Sequence, residues 1–90
     1  MDIEDLAEEI ADYFGERKYD IEYDVRDRYG ISHEIYIPNQ SYWFEDGFES
    51  DDLHWEVRAM AREFDLGSNY GHLLEDDGTL IIRVGVESFI

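Results

Sequence analysis

The residues best able to do chemistry in this chain are three histidines, His33, His54 and His72, and an unusual number of carboxylates. Imidazole titrates near neutral pH and is a common metal ligand. None of the three lies in an H-E-x-x-H motif, and no second histidine stands four residues from His54. His72 near Glu75, or His54 near Asp51, would begin a His/carboxylate metal site. With 24 Asp and Glu among 90 residues such neighbours arise by chance, so we expect surface or turn histidines and no metal site. The run Asp46-Gly47-Phe48-Glu49-Ser50-Asp51-Asp52 has a calcium-like composition but lacks the D-x-[DN]-x-[DN]-G spacing that arranges oxygens about the ion. It reads as a loop entering a capped helix. Paired-carboxylate catalysis needs one carboxyl desolvated and shifted from its neighbour, and nothing in the sequence marks any Asp or Glu as buried. There is no G-x-S-x-G elbow and no phosphate-cradling glycine loop. Zero cysteines exclude a thiolate nucleophile, a disulfide framework and cysteine-ligated zinc. The sequon Asn39-Gln40-Ser41 means little without a secretory signal. We therefore expect a protein that is not an enzyme and has no cofactor.

The distribution of charge is more informative. The chain carries 24 Asp and Glu against 7 Lys and Arg, a formal charge of −17. Residues 1–16 hold seven carboxylates and no cation, and residues 29–57 and 63–82 likewise contain acids without Lys or Arg. The cations cluster at Arg17, Lys18, Arg26 and Arg28, with Arg58, Arg62 and Arg83 apart. Solubility alone asks for a net charge of about 2 to 8 on a small domain, with the signs interspersed. Segregated excess acid destabilises the fold through self-repulsion. It also repels nucleic acid and anionic membrane, and it draws in a basic groove by long-range steering. The expected role is binding, with carboxylates standing in for a nucleic-acid backbone. Candidate partner-binding residues are Glu4, Asp5, Glu8, Glu9 and Asp12, then Asp20, Glu22 and Asp24, then Glu45, Asp46, Glu49, Asp51 and Asp52. Tyr42, Trp43, Phe48 and Trp55 are candidate anchors beside them, with core packing as the competing role.

The elements that must hold these residues follow from periodicity. Ile3, Leu6, Ala7, Ile10, Ala11 and Phe14 recur at helical spacing, with Asp2 as N-cap and Gly15 at the end. Glu4, Asp5, Glu8, Glu9 and Asp12 then fall on its outer face. From Tyr19 to Asp27 the period is two, which sets Tyr19, Ile21, Tyr23 and Val25 on one side and Asp20, Glu22 and Asp24 in a row on the other, about 6.6 Å apart. A turn at Arg28-Tyr29-Gly30 leads into a second strand, in which His33, Ile35 and Ile37 alternate with Ser32, Glu34 and Tyr36. After Pro38-Asn39-Gln40, a short third strand over Ser41–Glu45 is an option. Ser50 heads a second helix as N-cap, whose stripe is Leu53, Val57, Met60, Ala61 and Phe64 and whose end is Gly67. Asp76-Asp77-Gly78 joins a terminal hairpin of His72–Glu75 and Thr79–Phe89. The expected fold is α+β in the order α-β-β-(β)-α-β-β, with two helices packed on one face of a small antiparallel sheet whose other face is wet.

One domain over residues 1–90 is the natural count for this length. No apolar run approaches the roughly 20 residues of a membrane helix, and the acidic opening Met1-Asp2-Ile3-Glu4-Asp5 speaks against a signal or transit peptide. A cytoplasmic location is expected. The opening Met1-x-Ile3-x-Asp5-Leu6-x-x-Glu9-Ile10, followed by strands and a strongly acidic remainder, resembles small phage anti-CRISPR proteins that mimic DNA. That resemblance implies acidic side chains on the first helix occupying the site where a CRISPR effector reads duplex DNA, in the host cytoplasm if the chain is phage-encoded. Two other readings use the same acidity: an immunity protein neutralising a basic nuclease toxin, and a halophile-adapted domain with no mimicry. Monomer and dimer stay equally open.

Overall fold

The computed structural model describes residues 2–28, 30–45, 47, 49 and 51–86. Its elements are α1 (Ile3–Tyr13), β1 (Asp20–Asp27), β2 (Gly30–Ile37), a 3-10 turn (Ser41–Phe44), α2 (Asp52–Glu63), β3 (Tyr70–Leu74) and β4 (Leu80–Gly85). The four strands form one antiparallel sheet in the order β1-β2-β4-β3. The α+β order expected from periodicity is therefore the one found. Among the described residues no helix is long and apolar enough to cross a membrane.

The two helices share one face of the sheet because both are amphipathic. Leu6, Ala7, Ile10 and Ala11 of α1 and Leu53, Val57, Met60 and Ala61 of α2 bury against Ile35 and Ile37 of β2 and Leu80, Ile82 and Val84 of β4, in a single apolar cluster. α1 is closed at both ends. The Asp2 carboxylate accepts the Asp5 N–H at 3.0 Å, and Gly15 turns at φ 78° so that the Glu16 N–H reaches the Ala11 carbonyl at 2.9 Å. α2 ends the same way but earlier than Gly67. Asp65 takes the left-handed conformation (φ 57°), and the Leu66 N–H bonds the Ala61 carbonyl at 2.8 Å. Burial of Leu66 fixes that position, which is why the chain turns there without a glycine. Asp51 precedes α2 as its cap residue, while Ser50 lies outside the described residues.

Two expected features are corrected. Ser41–Phe44 is a 3-10 turn, not a third strand. β2 already has β1 and β4 on its two edges, so a strand following it has no edge to join there. The Gln40 N–H instead bonds the Gly78 carbonyl at 2.8 Å, tying the segment to the β3–β4 turn. That turn is as expected: the Thr79 N–H bonds the Asp77 carboxylate at 2.9 Å and Gly78 sits at φ 89°. A Cβ on Gly78 would stand 2.9 Å from that of Ser41, so glycine is needed for space as well as for φ. The expected extension of the last strand to Phe89 falls partly outside the described residues.

The second correction concerns β1. Glu22 pairs with Glu34 but Val25 pairs with Ser32, so Tyr23 and Asp24 together oppose His33 in a β-bulge. Asp24 is left-handed there (φ 54°), and its N–H donates to His33 Nδ1 at 3.2 Å. Val25 moves to the face of Ser32, and the row Asp20, Glu22, Asp24 is broken after Glu22. The face away from the helices is also less wet than alternation implies. Ser32 and Glu34 at its centre are buried, Glu34 to 8% exposure, although nothing in the sequence marked an acid as buried.

Candidate acidic interface

α1 builds the densest part of the acidic surface. Burial of its apolar stripe forces Glu4, Asp5, Glu8, Glu9 and Asp12 outward, and all five are exposed. None forms a salt bridge within the described residues. Glu4 alone has a side-chain tie there, accepting the Tyr23 hydroxyl at 2.7 Å.

α2 extends this surface by sorting its charges onto two flanks. Tyr13 of α1 packs edge-on against Phe64 at 6.2 Å and lies beside Glu56 and Glu63, so these acids border α1. Arg58 and Arg62 line a groove with Asp65 and Tyr70 on the β3 side, where the His54 and His72 rings also stand 6.1 Å apart. Arg58 covers the exposed Trp55 ring at 5.5 Å. Glu56 and Glu63 were not singled out from the sequence. Their signal was the seven-residue spacing that puts both on one helical flank.

The other candidates are dispersed. Asp20 and Glu22 lie on the sheet face away from the helices, since they pair with Tyr36 and Glu34. Glu22 belongs to a network there. The Tyr36 hydroxyl reaches Glu22 at 2.8 Å and Glu34 at 2.9 Å, Arg83 holds Glu34 through Nε and Nη2, and its Nη1 meets Asp27. Asp24 sits at the bulge beside Tyr23. Glu45, Glu49 and Asp51 are exposed before α2, and the half-buried Asp52 accepts the Glu49 N–H at 2.9 Å. Asp46 and Phe48 lie outside the described residues. Trp43 is half-buried against the core and Tyr42 is half-buried on Gln40, whereas Trp55 is 57% exposed and Phe44, not proposed as an anchor, 56%. Among the described residues no group of three or more His, Asp and Glu is placed to hold a metal ion.

Four phenols register the negative surroundings. The bond to Glu4 is the main reason that the Tyr23 hydroxyl holds its proton above the ordinary 10.0. Burial first, then the bond and charge of Glu56, raises Tyr13. Tyr36 is raised by burial and by its bonds to Glu22 and Glu34, and Tyr42 chiefly by burial. In each case a phenolate would add charge beside carboxylates or in a desolvated place. The unfolded chain releases these protons near the ordinary value and the folded chain only above it. Their contribution to stability is thus complete below pH 10 and is lost as pH rises beyond it. We expect denaturant midpoints to be level up to about pH 9 and to fall from about pH 10. Ultraviolet titration of Glu4→Gln should return one phenol toward its ordinary value.

Compared with known proteins, the chain matches no family model, and no curated protein or solved structure shows significant similarity to it.

Proposed function

We propose that this protein is a non-enzymatic inhibitor that works in the cytoplasm by occupying the nucleic-acid-binding cleft of a basic protein. A CRISPR effector is the type of target that the resemblance of its opening helix indicates. The observation that carries this reading is the row of exposed, unbridged carboxylates on α1. At 1.5 Å per residue, Glu4 to Asp12 spans about 12 Å, so the five charges, in axial steps of about 1.5 and 4.5 Å, average one per about 3 Å, a linear density close to the 3.4 Å per charge of one DNA strand. Caps at both ends and a fully packed inner stripe hold the backbone of that row fixed, so docking has only its side chains to order. Glu56 and Glu63 widen the row on its α2 side.

The test is competition. The protein, used as bait at low salt in lysate from a CRISPR-bearing bacterium, should retain a basic nucleic-acid-binding protein and displace duplex DNA from it, and binding should weaken steeply with salt. Replacing Glu4, Asp5, Glu8, Glu9 and Asp12 by their amides takes the formal charge from −17 to −12. At about 0.3–0.5 kcal/mol per exposed charge contact, inhibition should weaken by about tenfold or more with circular dichroism unchanged. Undiminished inhibition would remove α1 as the contact face. Capture of a nuclease toxin would point to an immunity protein, and failure to fold at about 0.1 M salt would point to salt adaptation.

A further inference from the structure

We propose that the outer edge of β3, with the apolar groove between it and the start of α2, receives an extended segment of a partner protein that adds to the sheet as a further strand and brings basic side chains to the Leu74 end. β4 pairs with β3 on one side, and among the described residues no strand pairs with it on the other. The sheet's two edges are treated differently. β1 carries Asp20, Glu22, Asp24, Arg26 and Asp27 together with a bulge, the devices that keep an edge from recruiting another chain. β3 reads Tyr-Gly-His-Leu-Leu, with no charge and no proline, in a chain that is 34% charged. Its Leu73 is 60% exposed, and the groove beside it is lined by Phe44, Leu53, His72, Leu74 and one acid, Glu49.

Charge chooses the occupant. Glu49 and Glu75 stand at the Leu74 end of the strand, while at the other end Arg58 and Arg62 outnumber the one acid, Asp65, in the groove beside Tyr70. A second copy would set −17 against −17 and bring Glu49 and Glu75 up to like charge, with only a five-residue strand pair to oppose the repulsion. A segment with Lys or Arg in its first half, running antiparallel to β3, meets Glu49 and Glu75 and leaves its apolar second half toward Tyr70. Nothing stands within 4 Å of where a Gly71 Cβ would be, so a bulky apolar side chain fits there beside Leu73. Main-chain hydrogen bonds then supply affinity and these positions supply selectivity. None of the α1 carboxylates takes part, so this site and the acidic interface stand or fall separately.

The probe is a short valine–threonine peptide with lysines in its N-terminal half, titrated into the isotope-labelled full chain and followed by NMR. Two controls have the same charge: one carries the lysines in its C-terminal half, the other a central proline. We expect shifts and slowed amide exchange at Tyr70–Leu74 and Phe44, with about tenfold weaker binding of either control, as for the loss of one or two hydrogen bonds. Leu73→Lys, at an exposed position, should weaken the probe similarly with an unchanged melting curve, and the five-amide α1 variant should not. Equal binding of a control, shifts centred on α1, or sedimentation as a dimer that Leu73→Lys dissolves would each overturn the proposal.

Discussion

Gln40→Leu is expected to cost about 3 kcal/mol and to lower the melting temperature by about 15 °C, although the two side chains are similar in size. Gln40 is 1% exposed and every polar atom of its side chain is engaged. Nε2 donates to the carbonyls of Phe14 at 3.2 Å and Pro38 at 3.3 Å, and Oε1 accepts from the Tyr42 hydroxyl at 2.8 Å and Trp43 Nε1 at 3.1 Å. The partners fix the amide's orientation, since two are acceptors and two are donors. One side chain thereby ties the end of α1, the end of β2 and the 3-10 turn together. Leucine would withdraw the donor from two carbonyls and the shared acceptor from two aromatic donors in a poorly hydrated place. Gln40→Glu is the sharper control. It keeps the acceptor but sets a carboxylate against two carbonyls, so its loss should exceed that of leucine at neutral pH. A melting temperature within a few degrees of the parent for both variants would contradict this role.

Arg83→Met is expected to cost about 2–3 kcal/mol, and most of that should return in the double variant with Glu34→Gln. The Arg83 guanidinium is the cation that meets both Glu34, buried at the centre of the open sheet face, and Asp27. Tyr36 provides the remaining hydrogen bond to Glu34 and is shared with Glu22. Without Arg83, Glu22 and Glu34 still crowd the Tyr36 phenol while Glu34 loses the guanidinium it meets, and a buried charge that loses its partner is much costlier than the pair is favourable. Glu34→Gln alone should be mild. Chemical denaturation of the two single variants and the double variant measures the coupling, and additive losses would show that Arg83 does not act through Glu34.

These two residues also mark where the sequence stops being readable. The helical spacing of Ile3, Leu6, Ala7, Ile10 and Ala11 and the alternation of Ile35 and Ile37 specify which faces are buried, because burial of apolar area is local information. Gln40 was legible only as a turn residue: three of its partners are within three residues in sequence, but its burial and its bond to the Phe14 carbonyl, 26 residues away, come from the tertiary fold. Glu34 looked like one more solvated acid. Its burial depends on Tyr36 and Arg83 crossing over it from β2 and β4. The bulge at Tyr23–Asp24 is set by how β1 registers against β2, and the residue pattern of β1 alone reads as an unbroken strand. At the candidate interface the α1 carboxylates were fully legible. The strand acids were grouped with them by charge alone, and the sheet sends Asp20 and Glu22 to the opposite side. The split of α2 into an acidic flank at Glu56 and Glu63 and a basic flank at Arg58 and Arg62 was present in the spacing, but its meaning required knowing that Tyr13 packs on Phe64.

Unbridged acid is concentrated over the α1 side of the helical layer and gives way to base at Arg58 and Arg62, beside the Tyr70 end of β3. Relaxation of each backbone amide by a cationic and by an anionic nitroxide cosolute measures the potential near that residue without any knowledge of the target. We expect the cationic probe to be enriched most strongly around Glu4–Asp12 and Glu56, and the ratio to fall toward Arg58, Arg62 and Tyr70, with the contrast fading as salt is raised. A ratio that is uniform around the molecule would contradict it.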